Sequence, residues 1–160
     1  MTNLKPHDIY LLLYLLSRDG TKWTYASVSA ACGLMREALG DEPNPQPQRT
    51  AFLEFMTHGV RYVFPAEIGS WVRGIPTAFG APGLEHLTVA DQEHMLVWPS
   101  VRGTVRGLAL TPLHAKAPVA AQQSPRFHAC LALADILRQP SPRAREIGVH
   151  QLRTMIDGNG

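Results

Sequence analysis

Apolar positions along the chain fall into blocks separated by glycine and proline, and the spacing within each block predicts its element. Over residues 6–18, Ile9, Leu12, Leu13 and Leu16 make one helical face. Tyr10, Leu11, Tyr14 and Leu15 make most of the other side apolar too. Pro6 suits a first helical turn, Asp8 places negative charge near the positive end of the helix dipole, and Gly20 is the expected stop. A helix apolar all round is buried on two sides. One side is expected to pack on the chain's own core. The other, through Tyr10, Leu11, Tyr14 and Leu15, is expected to meet either the C-terminal helices or a second subunit in a homodimer.

Thr24 is an N-cap for a small-residue helix to Cys32, with Val28, Ala31 and Cys32 inward. Gly33-Leu34 makes a turn, and Met35 to Leu39 starts a second helix that Gly40 and Pro43, Pro45 and Pro47 stop after about one and a half turns. Gln48 to His58 predicts a helix with Phe52, Leu53, Phe55 and Met56 inward and Gly59 as its stop. Val60 to Phe64 predicts a short extended segment closed by Pro65.

Residues 65–112 hold no lasting helical period. Trp71-Val72, Met95 to Trp98 and Val101 to Leu110 predict short strands in one or two hairpins within long ordered loops. Trp71, Trp98 and Phe64 are expected to pin those loops onto a core, the alternative being that they line a small-molecule pocket between the loops and the helices. Thr111-Pro112, Ser124-Pro125 and Ser141-Pro142 each set a capping hydroxyl before a first-turn proline. Pro125 to Arg138 carries Phe127, Cys130, Leu131, Ala134 and Leu137 on one face, and Pro142 to Ile156 carries Ile147, Leu152, Met155 and Ile156. The expected fold is mainly α with short β hairpins, an α+β class. A helical part (1–64), a loop and hairpin region (65–112) and a C-terminal antiparallel helix pair (113–160) share one compact domain.

Composition adds bounds. The chain is 45% hydrophobic and 18% charged, enough for a real core. A net charge of +2 permits nucleic-acid contact without arguing for it. Residues 1–58 hold five Lys/Arg against six Asp/Glu, so the basic surplus lies further along, mostly as arginine. Cys32 and Cys130 stand apart among small or apolar neighbours, as free buried thiols do in a reducing compartment. Ile9 to Leu16, the longest apolar run, is too short to span a bilayer, and a cytoplasmic location is expected.

Candidate chemistry is sparse. His7, His58, His86, His94, His114, His128 and His150 form no His-Glu-x-x-His helix. No nucleophile elbow surrounds Ser70, and no P-loop or dinucleotide fingerprint is present. Glu85, Asp91 and Glu93 cluster only in a presumed loop. A non-catalytic protein without cofactor or metal is expected.

The stretch from Trp23 to Leu39 fits a helix-turn-helix. Gly33 can take the positive φ of the tight turn, and Ser29 is the small residue at the close approach. Val28, Cys32, Leu34 and Leu39 fill the apolar slots. Through Leu4-Lys5-Pro6 and the Leu-rich helix after it, Trp23-Thr24-Tyr25 and Gly33-Leu34, the chain resembles bacterial winged helix-turn-helix regulators of the MarR-like kind. Arg106-Gly107-Leu108-Ala109-Leu110-Thr111-Pro112 resembles the end of that family's wing. The second helix is shorter by two turns or more than the family's recognition helix, and the wing-like run lies further from the turn. Segments 58–67 and 73–78 also resemble uncharacterised bacterial proteins, which brings no chemistry.

The resemblance implies a dimeric DNA-binding regulator or antitoxin-like repressor. Met35 and Arg36, opening the second helix, would face base edges. Lys22, Arg49, Arg61, Arg73, Arg102 and Arg106 would meet phosphates of double-stranded DNA. The alternative is a protein-interaction module on a degenerate helix-turn-helix scaffold. The slightly acidic first third and the prolines after Leu39 favour that alternative.

Overall fold

A computed structural model describes residues 4–18, 49–87 and 94–157. The helix-turn-helix stretch, with Lys22, Met35 and Arg36, lies outside the described residues, as do Cys32, Asp91 and Glu93. Among the described residues the chain is α+β. Helix α1 (Pro6–Ser17) is followed by α2 (Arg49–His58) and a single turn, α3 (Val60–Val63). Strand β1 (Ile68–Thr77) leads through two 3₁₀ turns to β2 (Leu96–Pro99) and β3 (Val105–Leu110). Helices α4 (Ala117–Gln123), α5 (Pro125–Leu137) and α6 (Pro142–Ile156) complete the described chain.

Helix α5 is the axis of the molecule. Its start follows from local chemistry: the Phe127 N–H donates to Ser124 Oγ at 3.2 Å, and Pro125 occupies the first turn. Ser141 caps α6 in the same way, accepting from the Ala144 N–H at 3.2 Å. The expectation of an amphipathic α5 is corrected, because every residue from Phe127 to Leu137 is buried. Ala129, Ala132, Leu133 and Ile136 make its second side apolar as well. Helices α1, α4 and α6 and strand β1 pack around it. Burying Phe127, Leu131, Leu133, Ile136 and Leu137 contributes on the order of 8–15 kcal/mol.

Helix α1 lies on this axis. Asp8 accepts the Lys5 N–H at 2.7 Å, closing its first turn. Tyr10 meets Phe127 edge-on at 5.2 Å and stacks on His114 at 4.8 Å, and Tyr14 meets Phe127 at 5.2 Å. Tyr10 and Tyr14 are therefore covered by the chain's own C-terminal half, while Leu11 and Leu15 are only half-buried.

Three local expectations are corrected. Val60 to Val63 is helical, because the chain re-enters a turn past Gly59, with the Val63 N–H donating to Gly59 O at 3.1 Å and that of Phe64 to Val60 O at 2.8 Å. Thr111-Pro112 starts no helix; Thr111 N–H instead donates to Glu67 O at 3.3 Å and α4 begins at Ala117. Among the described residues, 65–112 is less loop than expected, and its strands are not joined by tight hairpin turns. β1 pairs antiparallel with both β2 and β3, and β2 and β3 run parallel and close the sheet on itself. The segments read as strands, Trp71-Val72, Met95 to Trp98 and Val101 to Leu110, fall on β1, β2 and β3, but β2 starts at Leu96 and β3 only at Val105, after the connection over 100–104.

One buried polar cluster ties sheet to helix. Asp135 Oδ2 accepts from Thr77 Oγ1 at 2.6 Å and from Trp98 Nε1 at 2.8 Å. Its Oδ1 accepts from Arg138 Nη1 at 2.7 Å. Arg138 also donates to Phe64 O at 2.9 Å and Thr111 O at 3.1 Å. Asp135 is 1% exposed and Arg138 6%. Burial pushes the Asp135 carboxyl pKa up; the Arg138 charge and the Thr77 hydroxyl pull it back.

Asp135→Ala removes the only acidic partner this cluster offers Arg138. A buried, unpaired guanidinium costs about 3–5 kcal/mol. Thr77→Val removes one neutral donor to the carboxylate and costs about 1.5–3 kcal/mol. Urea unfolding of both variants should show that ranking, with the Asp135→Ala midpoint below that of Thr77→Val.

Candidate nucleic-acid interface

The strands and the connection from Ser100 to Thr104 contain three arginines and no carboxylate. Each arginine precedes a glycine: Arg73-Gly74, Arg102-Gly103 and Arg106-Gly107. The closed sheet explains the glycines. Gly74 is where β1 changes partner, pairing with Pro99 of β2 and Val105 of β3. A Cβ on Gly74 would lie 2.1 Å from Trp98 O, one on Gly103 2.1 Å from Gly74 O, and one on Gly107 2.3 Å from Met95 O. Three backbones meet here with no room for side chains between them. Alternation along a strand then turns the residue before each strand glycine outward.

Arg73 and Arg106 stand directly opposite each other in the β1–β3 register. Residues opposite in an antiparallel pair share a face, with Cα atoms about 4.5–5.5 Å apart. Arg102 is displayed at a tight turn. The Gly103 N–H donates to Ser100 O at 3.1 Å, and the Arg102 N–H to Ser100 Oγ at 3.2 Å. The Ser100 N–H donates to Arg73 O at 3.2 Å, which fastens the turn beside the pair. Val101, at the turn's tip, is 96% exposed. Trp71 lies one step along the same face, opposite Leu108, and is 52% exposed. All three guanidinium groups are exposed, and among the described residues none has an ion-pair partner.

Of the other candidate phosphate contacts, Arg49 lies elsewhere. It donates to Ile156 O at 2.8 Å, and Arg126 donates to Met155 O at 2.6 Å. Both arginines thus satisfy carbonyls at the C-terminus of α6, where cations are favoured. Arg61 sits on α3, its guanidinium over the Tyr62 ring. The structure therefore brings together Arg73, Arg102 and Arg106 and separates Arg49 and Arg61 from them. Trp98 is buried and pins the sheet as expected, whereas Trp71 is about half exposed and meets the His94 ring edge-on at 5.7 Å.

A cleft of about 500 Å³ adjoins the turn, between Arg102 and Thr104 on one side and Gln122 and His128 on the other. His128 lies 5.3 Å from the Trp98 ring. Its Nε2–H donates to Pro76 O at 2.7 Å, the tautomer that this acceptor requires. Burial lowers its pKa from 6.5, against the opposing pull of Pro76 O and Asp135. Burial also lowers that of His114, helped by His7 and Lys116. These contacts hold the chain through Thr77 into Ala78, whose φ of 55° is a left-handed conformation costly for a residue with a Cβ. Sequence reasoning singled out neither Asp135 nor His128 as organisers of this region. Among the described residues no group of three or more His, Cys, Asp or Glu could hold a metal ion, and no helix is long and apolar enough to cross a membrane.

Two expectations follow from this geometry. Gly74→Ala should destabilise the fold by the upper end of about 1–3 kcal/mol or more, because its neighbour is backbone. Gly69→Ala, whose Cβ would meet Ala109 Cβ at 3.5 Å, should be tolerated; thermal melting of both tests the contrast. The lowered histidine values set a pH dependence. Below 6.5 the unfolded chain takes up protons at His114 and His128 that the folded chain refuses, so stability falls as pH drops from there. Urea midpoints at neutral and acid pH should show the decline, and His128→Gln should reduce it. Comparison with known proteins finds no matching family, no similar characterised protein and no similar solved structure.

Proposed function

We propose that this is a non-catalytic, DNA-binding protein of the regulator type whose closed sheet contacts the phosphate backbone. The carrying observation is the Arg73–Arg106 pair, held opposite each other beside Arg102 with no carboxylate in the strands. Like charges opposite in a sheet cost roughly 0.2–1 kcal/mol. A polyanion removes that repulsion and replaces it with charge-assisted hydrogen bonds. Phosphate contacts of this kind give affinity and orientation and carry no sequence information. Base reading in this proposal belongs to Met35 and Arg36, with Lys22 as a further phosphate contact.

A second reading, a protein-interaction module, draws on the apolar side chains beside the arginines. Exposed Trp71 on the same face as Arg73 supplies the tryptophan and arginine typical of a protein-binding hot spot, with exposed Val101 beside Arg102 as an apolar neighbour. Salt dependence separates the two. Fluorescence anisotropy with the DNA upstream of the encoding gene should show affinity falling as salt rises. Arg73→Gln with Arg106→Gln should weaken binding on every sequence and reduce the slope of log affinity against log salt by about 2. Weak binding that ignores both salt and the substitutions favours the interaction module.

A further inference from the structure

The turn joining α5 to α6 faces α3 across a second cleft, of about 490 Å³. That volume lies within the range of about 300–1,000 Å³ common for small-molecule sites. Its lining includes Arg61, Arg138 and Arg145 and no carboxylate. The Arg138 charge is answered from behind by Asp135 at 2.7 Å. Arg61 and Arg145 are not so answered: both are half-buried, and among the described residues neither has a carboxylate within ion-pair distance.

The groups of the cleft are also tied to one another. The Arg61 guanidinium lies 4.6 Å over the Tyr62 ring and donates to Tyr62 Oη at 2.8 Å, which limits its rotamers. Pro65, Pro140 and Pro142 supply apolar walls with fixed φ. The Ala66 N–H donates to Arg138 O at 3.2 Å, so the two sides of the cleft are tied together at its base. Two uncompensated guanidinium groups select an oxyanion, and the Tyr62 ring with the apolar proline walls favours a flat apolar body attached to it.

We infer that this cleft binds a small organic anion, an oxyanion carried on a flat apolar body. The oxyanion lies between Arg61 and Arg145, and the body lies against Tyr62 and the prolines. The site is separate from the sheet arginines and does not depend on what they bind.

Calorimetric titration of the full chain with benzoate, phenyl phosphate and inorganic phosphate tests this. Saturable binding of benzoate or phenyl phosphate is expected, with inorganic phosphate weaker by about tenfold for want of an apolar body. Arg61→Gln and Arg145→Gln should each weaken the organic anion by about tenfold or more. Arg145→Lys should be intermediate, and Arg153→Gln, exposed further along α6 and outside the cleft lining, should have no effect. Circular dichroism of each variant checks that it is folded. The inference is overturned if neither organic anion binds, if inorganic phosphate binds as well as they do, or if folded Arg61 and Arg145 variants bind like the parent.

Discussion

The Asp135–Arg138 contact is the constraint on which the placement of the other parts depends. Hydrophobic burial around α5 supplies most of the stabilisation, but it is non-directional and would tolerate the sheet at several angles. The carboxylate is directional. It takes the Thr77 hydroxyl from β1, the Trp98 indole from β2 and the Arg138 guanidinium from its own helix. Arg138 in turn reaches the carbonyls of Phe64, just past α3, and Thr111, just past β3. Five separate segments thus report to one ion pair. A buried pair of this kind contributes little net stability over an apolar replacement, so its consequence here is register.

That register governs the sheet. With Thr77 and Trp98 anchored, β2 pairs with β1 from Thr77 back to Gly74, and β3 pairs with the rest of β1 from the same point. The change of partner brings backbone against backbone at three glycines. The arginine before each glycine is left on the outside, which concentrates positive charge on a surface that owes its shape to the interior. Arg138 of the same ion pair lines the second cleft, neutralised from within, whereas Arg61 and Arg145 beside it are not.

Several elements were legible from residue order. Ser124-Pro125 and Ser141-Pro142 marked helix starts because capping and proline geometry are local. The periods in 6–18, 48–58 and 142–156 marked their helices for the same reason. Valine, tryptophan and alternation marked the strand positions. Local chemistry misled at Val60 to Val63, where an apolar β-branched run continues as a helical turn after Gly59. It misled again at Thr111-Pro112, where the threonine carbonyl is claimed by Arg138. The amphipathic reading of 125–138 counted one face and missed that alanines on the other face invite close packing.

Residue order alone determined the caps, the helical periods and the repeated Arg-Gly pairs, since each depends on neighbours within a few positions. It could not show that Arg73 stands opposite Arg106, because strand pairing joins residues more than thirty apart through a closure no local pattern encodes. Nor could it show that Arg49 caps α6, 107 positions away, while Arg102 faces solvent. Guanidinium groups are alike in a sequence. Only tertiary packing, by supplying a carbonyl or a carboxylate to some and nothing to others, decided which are structural and which are available to a ligand.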